Sequence, residues 1–471
     1  MNSLPQSIRD FLPRVTKTSV GVFLGFFLLI FSLGLMDRNG GNPDPNLWNV
    51  RASEHAVGPG DTSSYVKIGQ YFAGVTPASG ELIWRVGNWP PGYPLVIAAI
   101  LKLTGESHYV LKAVIVCSSI LALVFTFLFY SVHFSSNGPI RFLVWASIFA
   151  LPNFRHWTLG SGLTLSEPYT LAFFLVSWTV LFLGIEKKDR RYLIIGGCLL
   201  GVTAYFRAIA SVLIEGTFYT CLLILASYHL ITSRIKKKYA LKSVEKLNRD
   251  HHRSLKALQA CGLVFLMFFC VTFPWKLRNK IRHHIFSIAT NQNGSYDLQW
   301  QTDEMLAPYP FLRAANTACH IEPSLCQGFW ASHDKMQPYQ KGLTFFVLLS
   351  KPFRWLAFKL ENINWLWTGI PWGFDSNRPF DWFLRSLEGL LYLIMGTAAL
   401  IRLKGNRTEL SETTRQALIL HTGAFLVANI VVFLIAHFED RYALFLRVYF
   451  FWLFLFTFVK VPRSAQVEAP L

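Results

Sequence analysis

The chain has 471 residues, of which 52% are hydrophobic, 15% aromatic and 15% charged, and its mean hydropathy is +0.34. An ordinary soluble domain carries roughly 25% charged residues, so this composition excludes a disordered chain and a water-soluble enzyme and points to a polytopic membrane protein. The net charge of +18 suggests nucleic acid in a soluble protein, but here the cations sit between apolar runs and serve orientation instead.

Runs of about 17 to 25 apolar residues can cross the hydrocarbon core as helices. They predict spans at 18–36, 109–132, 141–157, 169–185, 192–209, 211–232, 258–274, 383–401, 416–437 and 442–460. The expected fold class is an all-α integral membrane protein of about ten to twelve transmembrane helices. Every second connection is basic, as the positive-inside rule requires. Arg9, Arg14 and Lys17 precede the first run, Arg141 precedes the third, and Lys187, Lys188, Arg190 and Arg191 separate the fourth from the fifth. Arg402, Lys404 and Arg407 follow the eighth run, and Lys460 and Arg463 follow the tenth. The loop at 233–257 is the strongest signal, with Arg234, Lys236, Lys237, Lys238, Lys242, Lys246, Arg249, Arg253 and Lys256 against Glu245 and Asp250. RNA binding is the alternative for this block, but a topology determinant beside anionic head groups is the favoured reading, and no nucleic-acid partner is expected. Both termini then face the cytoplasm.

The first run lacks a small-x-small cleavage signature before Asp37 and is expected to be an uncleaved anchor. Residues 90–105 and 343–372 are short or interrupted, and lying in the outer interface as in-plane helices they preserve the charge alternation. The expected organisation is a transmembrane module at 1–274 containing a first outer loop at 37–108, a large outer loop at 275–381, and C-terminal helices at 382–471. No internal repeat of the transporter kind is evident. Cys117, Cys198, Cys221, Cys261 and Cys270 fall in spans, whereas Cys319 and Cys326 lie together in the large outer loop. An oxidising compartment would permit a bridge between those two, while metal ligation with His320 lacks a further clustered ligand.

Polar residues with chemical potential collect on the outer side. Asp61 follows Gly58-Pro59-Gly60 and precedes Ser63-Ser64-Tyr65, so it is either an N-cap or a carboxylate held in a fixed direction at a helix start. Glu167, in Leu165-Ser166-Glu167-Pro168, is costly at the hydrocarbon boundary unless paired or in a wet cavity; it is functional, or it pairs with Arg155 or Arg207. Arg207 and Arg441 stand at outer helix ends against the topology trend, and guanidinium groups there either snorkel or grip phosphate oxygens. Lys276, Arg278, Lys280 and Arg282 form a basic exit from the seventh span, suited to a bound anion or to lipid head groups. His283 and His284 are adjacent and do not make a metal pair.

In chain order, Gly60-Asp61 with Tyr65, Pro90-Pro91-Gly92-Tyr93-Pro94, Ser166-Glu167, a Gly-rich fifth span ending at Arg207, Pro274-Trp275-x-x-Arg278-Asn279 and Arg441-Tyr442 resemble the GT-C glycosyltransferases. The branch resembled contains the protein mannosyltransferases and the bacterial aminoarabinose transferase of lipid A. These pieces cover about the first two thirds of the chain and its C-terminal end. The resemblance implies a membrane enzyme with a polyprenyl-phosphate sugar donor and a lipid, glycan or protein acceptor on the outer face. It implies Asp61 as catalytic base, Glu167 as the second carboxylate, and Arg207, Arg278 and Arg441 on the departing phosphate. Tyr65, Tyr93 and Trp275 would position substrate. Many relatives carry a second acid beside the first-loop aspartate where this chain has Thr62 and Ser63, so a divalent cation (Mg or Mn) is either held by Asp61 and Glu167 or not required. Where some relatives place a phosphate-contacting Lys before the double proline, this chain has Trp89, and Arg85 is the nearest cation.

The expectation is therefore an inverting glycosyltransferase of a bacterial inner membrane with its active site on the periplasmic side. A ligase or polymerase using a lipid-diphosphate oligosaccharide is the alternative within the class. A lipid or sugar transporter is the alternative outside it, and would need a polar path through span centres that are apolar except for Glu215, His229 and His421. Asn293-Gly294-Ser295 is formally a glycosylation sequon.

Overall fold

The computed structural model describes residues 61–105, 108–133, 166–238, 244–289, 352–353, 356, 379–435 and 440–457. The spans expected at 18–36 and 141–157, Arg155, Asn293, Cys319, His320 and Cys326 lie outside the described residues. Among the described residues every regular element is a helix. In chain order these are α1 (Asp61–Ala73), α2 (Gly80–Asn88), α3 (Gly92–Thr104), α4 (His108–His133), α5 (Glu167–Lys187), α6 (Arg190–Phe206), α7 (Ala208–Lys238), α8 (Val244–His283), α9 (Pro379–Lys404), α10 (Glu412–Ile435) and α11 (Asp440–Thr457). Stretches long and apolar enough to cross a membrane occur at Glu167–Lys187, Ala208–Arg234, His252–His283, Ser386–Lys404 and Glu412–Leu434. They coincide with the fourth and the sixth to ninth expected spans, while α4, α6 and α11 occupy the second, fifth and tenth.

Apolar residues surround α5 on all sides, so it is buried at the centre. Phe174, Trp178 and Phe182 of α5 pack against His421 and Phe425 of α10 and Phe445, Trp452 and Phe456 of α11. Trp452 Nε1 donates to Thr179 Oγ1 at 2.9 Å. Phe174 meets Phe445 before this bond and Phe182 meets Phe456 after it, so α5 and α11 run parallel and begin at the same end of the bundle. The α5–α6 connection is a tight turn through Lys188 in the left-handed region, with Asp189 capping α6 by accepting from the Arg191 N–H. At that end Glu186 accepts from the Ser411 backbone and hydroxyl, tying the turn to the start of α10.

Glycines let α6 fit between two neighbours. A Cβ at Gly196 would meet the Leu181 backbone of α5 at 3.2 Å, and Cβ atoms at Gly197 and Gly201 would lie 2.6 Å from Val264 O and Val271 Cβ of α8. The seventh span was expected to end at Pro274, but α8 continues through this proline to His283 as one helix of 40 residues. The basic exit is thus helical and continues the apolar helix beyond Pro274. α3, with 13 residues, spans about 20 Å at 1.5 Å per residue, less than the roughly 30 Å hydrocarbon core, and adds no span.

Candidate functional site

The site lies where α5, α7 and α11 begin and α6 and α8 end, opposite the Lys187-Lys188 turn. α1 starts at Asp61, so the backbone of this residue stands at a helix N-terminus, where the peptide dipoles favour a negative group. One turn on, Ser64 Oγ accepts from Arg85 of α2 at 2.6 Å, which sets the α2 guanidinium against the first turn of α1. α2 is itself capped by Ser79, whose hydroxyl accepts from the Leu82 N–H at 3.1 Å.

Tyr65, on the next step of α1, is buried and faces two directions. Its ring meets that of Tyr93 edge to face at 5.3 Å, and its hydroxyl lies 3.4 Å from Ser166 Oγ at the head of α5. The Pro90-Pro91 turn delivers Tyr93 by bringing Gly92 against the end of α6, where a Cβ would lie 2.7 Å from the Tyr205 carbonyl oxygen. Tyr93 is fully buried, 5.5 Å from the Tyr169 ring, which stacks on Phe206. Burial, with Tyr169, Glu167 and Tyr65 nearby, pushes the Tyr93 phenol well above its ordinary value, so it stays a neutral donor. Its hydroxyl has no hydrogen-bond partner among the described residues.

Glu167 opens α5 and is 1% exposed; Arg207 fills the extended break between α6 and α7 and is 5% exposed. Their Nη2 and Oε1 atoms are 3.1 Å apart. Of the two partners that the sequence left open for Glu167, Arg207 is therefore one, while Arg155 lies outside the described residues. A divalent cation on Glu167 would have to share the carboxylate with that guanidinium. Among the described residues no three His, Cys, Asp or Glu side chains gather as a metal requires.

The other half of the site is the C-terminal end of α8. The Arg278 guanidinium lies 4.6 Å from the Trp275 ring and donates to Asn279 Oδ1 at 2.7 Å and towards the Val86 carbonyl of α2 at 3.5 Å. Trp275 packs with Ile68, Leu82, Val86 and Trp89, while its buried Nε1 has no hydrogen-bond partner among the described residues. Trp89 also packs on the cluster holding Tyr65 and Tyr93, so one indole joins the two halves. Arg441 is the second residue of α11, whose start lies level with that of α5. The structure thus brings Tyr65, Tyr93, Arg85, Glu167, Arg207, Trp275 and Arg278 to one end of the bundle, with the backbones of Asp61 and Arg441 at helix starts there.

The three polar residues that the sequence places at span centres each have a local partner. Glu215 pairs with Lys276 at 2.8 Å, His229 Nδ1 lies 3.1 Å from Ser254 Oγ, and His421 Nδ1 lies 2.7 Å from the Tyr449 hydroxyl. The sequence reading also missed polar residues inside spans, since Glu388 of α9 and Arg447 of α11 are each 1% exposed and Asn429 of α10 is buried. Glu388 and Arg447 flank the buried Tyr392. The signal that could have found them is the one that singled out Glu215, an isolated ionisable residue within an apolar run.

No known family model, curated protein or solved structure matches this chain.

Proposed function

We propose that this protein is a membrane glycosyltransferase that moves a sugar from a polyprenyl-phosphate carrier to a hydroxyl of a lipid, glycan or protein acceptor at the outer face of the membrane. One observation carries the proposal: residues widely separated in the sequence converge at one bundle end, around a buried carboxylate–guanidinium pair and two buried donors that have no partner among the described residues. The placement of Lys and Arg on alternate connections supports an outer location for that end, in the periplasm of a bacterial inner membrane.

In the proposed reaction Asp61 takes the proton of the acceptor hydroxyl as its oxygen attacks the anomeric carbon. The bond from that carbon to the phosphate oxygen breaks from the opposite face, and its electron pair leaves on the lipid phosphate, so configuration inverts. Negative charge developing on the phosphate is met by Arg278, Arg85 and Arg441, where preorganised cations act most strongly. Glu167, oriented by Arg207, accepts a hydrogen bond from the acceptor or the sugar. Tyr93 Oη and Trp275 Nε1 donate to sugar oxygens, satisfying groups otherwise buried without partners among the described residues. No step passes through a metal.

The test offers purified protein in lipid a panel of radiolabelled polyprenyl-phosphate sugars and, beside them, a lipid-diphosphate oligosaccharide, with membrane extract as acceptor. Transfer from a monophosphate donor is expected. Transfer from the diphosphate donor alone would replace the proposal with a glycan ligase.

A further inference from the structure

Lys276 and Glu215 lie outside the residues assigned to chemistry, yet they form an ion pair near this end of the bundle. Lys276 is 4% exposed, with its ammonium 5.9 Å from the rings of both Phe268 and Phe286. Glu215 Oε1 accepts from Lys276 Nζ at 2.8 Å and from Ser211 Oγ at 2.6 Å. Ser211 and Glu215 sit about one and two turns beyond Arg207 on α7, and Lys276 precedes Arg278 by two residues on α8.

We infer that the Lys276–Glu215 pair is a strut that fixes the distance between the two halves of the site, the Glu167–Arg207 pair and the Trp275–Arg278 stack. This rests on the proposed function for its kinetic consequence. Between this pair and the His229–Ser254 contact further along, α7 and α8 meet through apolar contacts, such as Phe218 with Phe265 at 5.9 Å. Such contacts tolerate sliding, whereas an ion pair reinforced by a hydroxyl defines a length and a direction. A buried pair contributes little net stability relative to apolar residues of the same volume, so its consequence here is geometric. The position it fixes propagates directly. Asn279 accepts from Arg278 and donates to the Ser287 and Ile288 carbonyls at 2.9 and 3.0 Å, so the end of α8, the Arg278 side chain and the following chain move as one unit. Tyr205, adjacent to the Arg207 break, donates to Val271 O at 2.6 Å and supports the same joint.

The experiment uses the full chain in lipid and compares Glu215→Gln, Lys276→Met, Lys276→Arg and the exchanged pair Glu215→Lys with Lys276→Glu. Donor KM and kcat are measured with the polyprenyl-phosphate sugar that the parent uses, together with backbone hydrogen exchange over 278–289. Each single neutral variant is expected to raise donor KM about tenfold with kcat within about threefold, the pattern of lost binding geometry. Exchange over 278–289 should quicken. Lys276→Arg and the exchanged pair should return both readouts to within about threefold of the parent. A lower yield or melting temperature with parental donor KM would overturn the inference, because that marks a merely structural pair. An exchanged pair no better than the single variants would also overturn it; if that protein does not fold, Lys276→Arg decides, and a KM raised as far as in Lys276→Met counts against the strut. Should the parent transfer no sugar, the functional proposal fails separately. Hydrogen exchange then decides alone, with quickening and recovery upholding the strut and parental exchange in the neutral variants refuting it.

Discussion

Two opposite charges buried together tolerate the loss of both better than the loss of one. Glu167→Gln would leave the Arg207 guanidinium buried against a neutral amide, and Arg207→Ala would take this guanidinium from the buried carboxylate. Each should cost about 3 to 5 kcal/mol, seen as a lower thermal midpoint in detergent. Replacing the pair together, Glu167→Leu with Arg207→Met, should recover most of that stability and none of the transfer activity, which separates folding from function at this position. At Tyr93 the hydroxyl is a neutral donor with no partner among the described residues, so Tyr93→Phe should leave the melting temperature nearly unchanged while reducing kcat/KM about tenfold, as for a lost substrate hydrogen bond. At this scale the sequence pointed correctly to Glu167 and Arg207 as candidate partners, because an acid and a base placed against the topology trend demand an explanation. It did not point to Glu388 or Arg447, since single charges in Phe-rich and Leu-rich runs are diluted when hydropathy is averaged over a span. Nor could it assign Lys276 to Glu215 rather than to an anion, because helical phase through Pro274 decides that.

Among elements, close approach at glycines explains why the Pro-Pro-Gly turn delivers Tyr93 where it does. Gly92→Ala should push the start of α3 away from the Tyr205 carbonyl, lowering activity more than stability, whereas Gly197→Val should separate α6 from α8 and destabilise the bundle by about 1 to 3 kcal/mol. Thermal melts set beside activity for the two variants check the contrast. Span positions among the described residues were legible because apolar periodicity and basic punctuation agree. The end of α8 was not: proline reads as a stop, yet at this position the helix carries on for nine residues, with Asn279 fastening the chain beyond it. The short helix at 92–104 was legible from its length alone, but its tight packing on α1 through Gly69 and Ile97 was not.

For the whole molecule, the end that carries Glu167, Arg207 and Arg278 stands opposite the Lys187-Lys188 turn, and the orientation of that axis is a separate claim from the chemistry. In a cysteine-free background, Lys280→Cys should react with a membrane-impermeant maleimide in intact cells, whereas Lys188→Cys should react only after permeabilisation. The reverse pattern would turn the protein over and place the site in the cytoplasm. The central claim, that the convergent end transfers sugar with Asp61 as base, has a more direct test. Parent and Asp61→Asn are reconstituted side by side, matched for folded protein, and assayed for transfer of label from the polyprenyl-phosphate donor. Loss of a positioned base should cut the rate about a hundredfold to ten-thousandfold. Transfer by Asp61→Asn at the parental rate would contradict the account.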